Sequence, residues 1–397
     1  MGSRSDWRIF VLIIVAGLAI RLLAAIITPE DYLSWEAREN YLMRAQSLLD
    51  GKLPYRDFWE SKPPLWTCLF AIWGKMFGVN VISLKMLIIT SEMFFIALLY
   101  YFTKIPFHDS KLALISAGFY AFLPMVLFVS AVEGKYESLT FIFFLVALWL
   151  ILANKTSLAG AVLGIGMGFK FNSALMMVPI ILFLLKSDSQ PGRKIMGFLF
   201  AIVFVLGIIL TPFLIIAPDN FFRDAIQNFV IGQGHHPIPY KAISIWGALR
   251  QSFHLEAPQY LPHLFQFSLM AFLFWLLWRK HQQITKFSLV MYSYIFITAY
   301  LLFIRVGNIQ YFCWSIPFLS LIVAYLFDKR RTIPEFRCYL TVLILQTFLV
   351  FYTWKNWYHP IGGSLMVILT LAVTGYCLYM VTKLAISESK LQKVLEG

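Results

Sequence analysis

The chain has 397 residues, 60% of them hydrophobic and 13% charged, with a mean hydropathy of +0.74. A soluble globular protein carries about a quarter charged residues, so this composition excludes one and implies a polytopic membrane protein. The formal net charge of +13 would point to nucleic acid in a soluble domain, but here the basic residues lie in short loops between apolar spans, and no nucleic-acid partner is implied.

The first apolar run, 9–28, is long enough to cross a bilayer and has no small-residue cleavage site after it, so it reads as a retained helix. Directly behind it, Glu30, Asp31, Glu36, Glu39, Asp50, Asp57 and Glu60 crowd into 29–62, a large share of the 20 acidic residues. Carboxylates beside a bilayer are costly unless they are solvated, paired, or used on a cation or a proton. Within this loop, SWEARENYLMRAQSLLDG predicts an amphipathic helix with Tyr41, Leu42, Ala45, Leu48 and Leu49 on its apolar face, Ser34 as cap and Gly51 as stop. Glu36 stands at its start, where a carboxylate could act as general base, hold a divalent cation, or simply complement the helix dipole.

KLPYRDFWESKPPLW follows, and Pro63 and Pro64 interrupt local helix and position Lys62. Arg56 and Lys62 suit a phosphate at headgroup level, or snorkel to the lipid. The run 65–78 is short of a crossing, since about 14 residues rise only about 21 Å as a helix, and reads as an interfacial helix.

Apolar runs at 82–103, 112–131, 137–153, 194–217, 263–278, 287–304, 309–327, 338–353 and 363–383 read as spans, and 157–185 as two short helices meeting near Lys170. The expectation is an all-α membrane protein of about twelve crossings, forming one transmembrane domain over 1–397 with no repeat of fixed period. Loop charge places both termini in the cytoplasm and puts 29–78, 132–136, the turn at Lys170, 218–262, 305–308 and 355–363 on the outer face.

Several residues on that face could carry chemistry. In VEGKYESL, Glu133, Lys135 and Glu137 surround Gly134 at an outward helix start, either as a second acidic site or as an ordinary charged turn. Lys170 lies between two apolar half-length helices, where a cation either has an anion partner or snorkels from a helix end. His235 and His236 could bind a metal or a sugar, although adjacent residues on regular structure cannot both face one site; a solvated loop is the alternative. Arg305, Gln310 and Tyr311 place a cation and amide and phenol groups at another outer helix end, for a diphosphate, a hydroxyl-rich substrate or interfacial lipid. Glu92, the one deep acid, reads as hydrogen-bonded structure, and Cys68, Cys313, Cys338 and Cys377 lie singly as packing residues.

In this order, the run from Glu36 through Leu49, Gly51, Pro54-Tyr55-Arg56-Asp57 and Lys62-Pro63-Pro64 resembles the C-type superfamily of membrane glycosyltransferases. Gly134 to Glu137, Lys170 with Pro179, and Gln310 to Trp314 are similar to elements of its polyprenyl-phosphomannose-dependent mannosyltransferases. The protein O-mannosyltransferases and the aminoarabinose transferase of lipid A belong to the same superfamily. The family's acidic pair is broken here, because Ala37 follows Glu36.

The resemblance implies an inverting enzyme that moves a mannose-like hexose from a polyprenyl-phosphate donor to a lipid, glycan or protein acceptor at the bilayer's outer face. It implies Glu36 as catalytic base with Asp31 and Glu39 as rivals, and donor-phosphate binding by Lys62, Lys170, Arg56 and Arg305. Glu133, Glu137, Gln310 and Tyr311 would support or meet the acceptor. A divalent cation, Mg or Mn, is an optional aid in the family, with Glu36, Glu133, His235 and His236 as its possible ligands. The alternatives are a multi-pass transporter, which should show related halves, and a lipid-linked glycan polymerase or ligase, which would rest on Arg223, His235 and His236.

Overall fold

The computed structural model describes residues 4–230, 242–255, 258, 260–282, 284–329, 334–355 and 360–396. Among these the backbone is helical throughout, apart from turns and an isolated bridge between Pro54 and Phe58. Six helices are long and apolar enough to cross a membrane: Arg4–Ile27, Val81–Phe107, Pro191–Ile216, Leu261–Lys280, Ile309–Asp328 and Leu365–Ile386. A seventh candidate is the pair Ser110–Phe122 and Pro124–Val132, bent by 53°. The bend has a local cause, since Leu123 precedes a proline and takes an extended conformation in place of a helical one. Further apolar helices of 10–17 residues lie at Leu65–Phe77, Glu137–Leu152, Thr156–Phe169, Phe171–Ser187, Lys286–Leu302 and Leu340–Thr353. Twelve crossings would need the bent pair and all but one of these shorter helices to span.

The outward faces of the long helices carry large apolar side chains, among them Leu12, Ile26, Met196, Phe200, Val203 and Ile215. Hydrocarbon, not water, solvates such faces.

The chain divides into two compact units, one comprising Met1–Ser110, Ala117–Ala174 and Arg193–His235, the other Lys111–Ser116, Leu175–Gly192 and His236–Gly397. In the first unit, close helix contact rests on small residues. A Cβ at Gly160 would lie 2.2 Å from the Phe198 carbonyl oxygen, so helix Thr156–Phe169 meets helix Pro191–Ile216 backbone to backbone. Glu92 is paired, as a deep acid must be: one oxygen accepts from Arg21 NH2 at 3.1 Å and the other from Tyr120 at 3.4 Å, while Arg21 NH1 caps the carbonyls of Gly17 and Ala121.

The second unit has its own buried polar chain, in which Tyr294 donates to Gln346 at 2.9 Å and Gln346 donates to Thr374 at 3.3 Å. This ties helices Lys286–Leu302, Pro334–Lys355 and Pro360–Glu396 together. Cys68, Cys313 and Cys377 are free thiols.

Candidate active site

The first polar loop folds as its pattern predicts, with one difference. Ser34 caps the start, its hydroxyl accepting from the Ala37 N–H at 3.2 Å. A π-helical turn over Glu36–Tyr41 then runs into helix Leu42–Leu49, and Gly51 closes it at φ +84°. Tyr41 and Ala45 are buried as expected, whereas Leu49 is exposed and Arg44 is buried instead. Arg44 lies three residues after Tyr41 and beside Ala45, on the same helix face, and there it meets Glu60.

That pair fixes Lys62. Glu60 Oε1 accepts from Arg44 NH1 at 2.6 Å and from the Lys62 N–H at 3.1 Å, while Oε2 accepts from Thr67 at 2.7 Å. Burial pushes the Glu60 carboxyl up, and Arg44, Thr67 and Lys62 draw it back. Tyr55, held at φ 66° and packed edge-on to Phe213 and Phe221, donates its hydroxyl to the Lys62 carbonyl. With Pro63 and Pro64 lacking N–H groups, the backbone at Lys62 is clamped from both sides.

The second loop docks on the first. The Ser34 N–H donates to the Glu133 carbonyl at 3.1 Å, and Gly134, at φ +70°, lies so close that a Cβ there would sit 3.4 Å from Ala37 Cβ and 3.4 Å from Leu33 Cδ1. The turn throws Lys135 inward. Its Nζ donates to Glu36 Oε2 at 2.5 Å, and Lys62 Nζ donates to the other oxygen, Oε1. Burial alone would raise the Glu36 carboxyl, but the ammoniums of Lys135 and Lys62 outweigh it and hold the group well below the usual carboxylate range. Burial, opposed by Glu36 and reinforced by Lys135 and Lys170, lowers Lys62 to about 8.

A third ammonium arrives from the break in the following helices. Helix Thr156–Phe169 ends where Lys170 turns extended, and Lys170 Nζ donates to Glu137 Oε1 at 2.5 Å. This is the anion partner that a lysine at that depth demands.

Aromatic rings bind the group together. Trp66 stacks on Tyr136 with centroids 3.9 Å apart, and Tyr41 packs edge-on to both. Lys62 Nζ lies 4.9 Å from the Tyr41 centroid and 5.5 Å from that of Tyr136, and Lys170 Nζ lies 5.4 Å from Tyr136. Tyr136 Oη and Trp66 Nε1 are buried with no hydrogen-bond partner among the described residues.

Of the residues singled out in the sequence, Glu36, Lys62, Glu137 and Lys170 therefore meet in one place. Glu39 does not: it is exposed and paired with Arg38 at 3.3 Å. Arg56 turns outward to its neighbour Asp57 at 2.8 Å, away from the cluster. Glu133 enters through its backbone carbonyl. Arg305, Gln310 and Tyr311 belong to the second unit, where Arg305 and Gln310 are buried and Tyr311 packs on Trp314 at 4.9 Å. His235, His236 and the side chain of Asp31 lie outside the described residues. Lys135 is named in the sequence only as part of a charged turn and Tyr41 only as an apolar helix residue, and Tyr136 and Trp66 are not singled out there at all. A glycine flanked by charges was the available signal for Lys135, but nothing in a linear pattern shows which way that turn throws its side chain.

Of the four residues expected to hold a divalent cation, only Glu36 and Glu133 are described, and Glu36 does not suit one. Two ammoniums already occupy the oxygens of Glu36 and would repel one, and no group of three His, Cys, Asp or Glu among the described residues is placed to hold a metal.

Residues 61–216 match the family model of dolichyl-phosphate-mannose-protein mannosyltransferase. The span includes Lys62, Lys135, Glu137 and Lys170, while Glu36 precedes it. No curated protein matches the chain. Among solved structures, ArnT from Cupriavidus metallidurans bound to undecaprenyl phosphate superposes with a TM-score of 0.57 at 14% identity, over 98% of this chain and 78% of that one. Its apo state gives 0.56 with the same identity and coverage. The chain has the fold of the C-type membrane glycosyltransferases. Within this C-type fold, the first polar loop and the Lys135 turn of the first unit build the cluster.

Proposed function

We propose that the protein is an inverting glycosyltransferase that takes a hexose from a polyprenyl-phosphate donor. The observation that carries the reading is the convergence of Lys62, Lys135 and Lys170 from three distant segments onto one aromatic-lined site beside Glu36. Buried ammoniums in such number suit a phosphate better than a neutral solute. The family match over 61–216 supports the reading, as does the likeness to an ArnT that binds undecaprenyl phosphate.

In the proposed reaction, the donor's phosphate lies among the lysines and its sugar faces Glu36. Glu36 accepts the proton of the acceptor hydroxyl, whose oxygen attacks the anomeric carbon from the face opposite the phosphate. The bond from that carbon to the phosphate oxygen breaks, its electron pair stays on polyprenyl phosphate, and the lysines stabilise the charge that develops there. In a site poor in water those interactions strengthen. No metal is needed in this scheme. The sugar is a mannose-like hexose, the acceptor a lipid, glycan or protein hydroxyl, and the site faces outward with both termini in the cytoplasm.

Incubating purified protein with a polyprenyl-phosphate hexose and an acceptor extract tests the proposal. Release of polyprenyl phosphate together with a glycosylated product is expected; movement of solute across proteoliposomes with no covalent product would overturn it in favour of transport.

A further inference from the structure

Two buried ammoniums share one carboxylate. Lys62 and Lys135 come from loops far apart in the chain, are only 7% and 6% exposed, and each holds one oxygen of Glu36. A general base does not call for this arrangement. With each oxygen tied to a cation, about half of the carboxylate's lone-pair sites are taken and its affinity for a proton falls, so it is weakened as a base.

One ammonium is enough to neutralise the Glu36 carboxylate itself, and holding a second buried ammonium on the same carboxylate is costly. The adjoining ring pair adds two more donors, Tyr136 Oη and Trp66 Nε1, which have no acceptor among the described residues. Two ammoniums on one carboxylate, with two further donors close by that lack an acceptor among the described residues, suit an anion with several oxygens.

We infer that Glu36 is a stand-in anion, displaced from Lys62 and Lys135 by the phosphate of the lipid donor, so that the base is released only once the donor is seated. This rests on the glycosyl-transfer reading above and adds to it an order of events and a role for Lys135. Before the donor binds, Lys135 is a positioning residue that restrains Glu36. Afterwards it is a second phosphate ligand beside Lys62. The freed carboxylate, without two cations on it, becomes the stronger base, and acceptor activation follows donor binding.

Equilibrium binding of undecaprenyl phosphate to the purified full-length protein in detergent tests the inference, with undecaprenol as the control for the apolar tail. Glu36→Gln removes the competing anion and should bind the phosphate about tenfold tighter than the unsubstituted protein. Lys135→Gln should bind it about tenfold weaker, with Lys135→Arg restoring most of the loss, and the gain from Glu36→Gln should shrink when Lys135→Gln is also present. Unchanged or weaker binding by a normally folded Glu36→Gln would overturn the inference. If that variant does not fold, equal binding by Lys135→Gln and the unsubstituted protein would overturn it instead. Should the unsubstituted protein bind undecaprenyl phosphate no better than undecaprenol, the glycosyl-transfer reading fails, and this inference with it.

Discussion

Lys62 makes the site pH-sensitive from the alkaline side. Its ammonium is lowered to about 8, so above that pH a growing fraction is neutral and no longer attracts a phosphate. The expected outcome is a fall in kcat/KM for the donor as pH rises through about 8, and a shift of that limb to higher pH in Lys62→Arg, whose guanidinium stays charged. An unmoved limb in that variant would assign the titration elsewhere. Arg56 makes the opposite case: it is half exposed and paired only with its sequence neighbour, so Arg56→Ala should leave donor KM unchanged. Glu60→Ala should leave Arg44 buried without its carboxylate and destabilise the protein by roughly 3–5 kcal/mol, seen as a lower thermal midpoint.

Two close approaches decide whether the elements can meet. Gly134 sits at φ +70° against Ala37 and Leu33, and its turn aims Lys135 at Glu36. Gly134→Ala should reduce kcat by at least about tenfold while the thermal midpoint falls only a few degrees, because the strain misplaces a reacting group without opening the core. Gly160→Ala should be worse for folding, since its Cβ would run into the Phe198 carbonyl. Gly207→Ala is the control, with open space around it on helix Pro191–Ile216. Expression, thermal unfolding and kcat of the three variants check both claims.

Much of this was legible in the sequence. Apolar length gave most of the long helices, Ser34 and Gly51 marked the loop helix, and the depth of Lys170 demanded an anion that proved to be Glu137. Other parts were not legible, because they depend on which side chains meet in the fold. Arg44 shares the helix face of Tyr41 and Ala45 at ordinary helical spacing, yet a charged residue there reads as solvated until its partner Glu60, sixteen positions on, is known. Arg56 and Glu39 have the right chemistry in the right loop and face away, which no one-dimensional reading distinguishes.

At the scale of the whole molecule, the account requires residues over a hundred positions apart in the chain to act as one charged site on one side of a bilayer. The fold is shared with ArnT, and the family match over 61–216 takes in Lys62, Lys135 and Lys170 but begins after Glu36. The most direct test is a structure determined with a polyprenyl-phosphate sugar bound. The phosphate is expected within hydrogen-bond distance of Lys62 Nζ and Lys135 Nζ, with Glu36 turned toward the anomeric carbon. A phosphate seated away from these lysines, with Glu36 still held between them, would contradict the account.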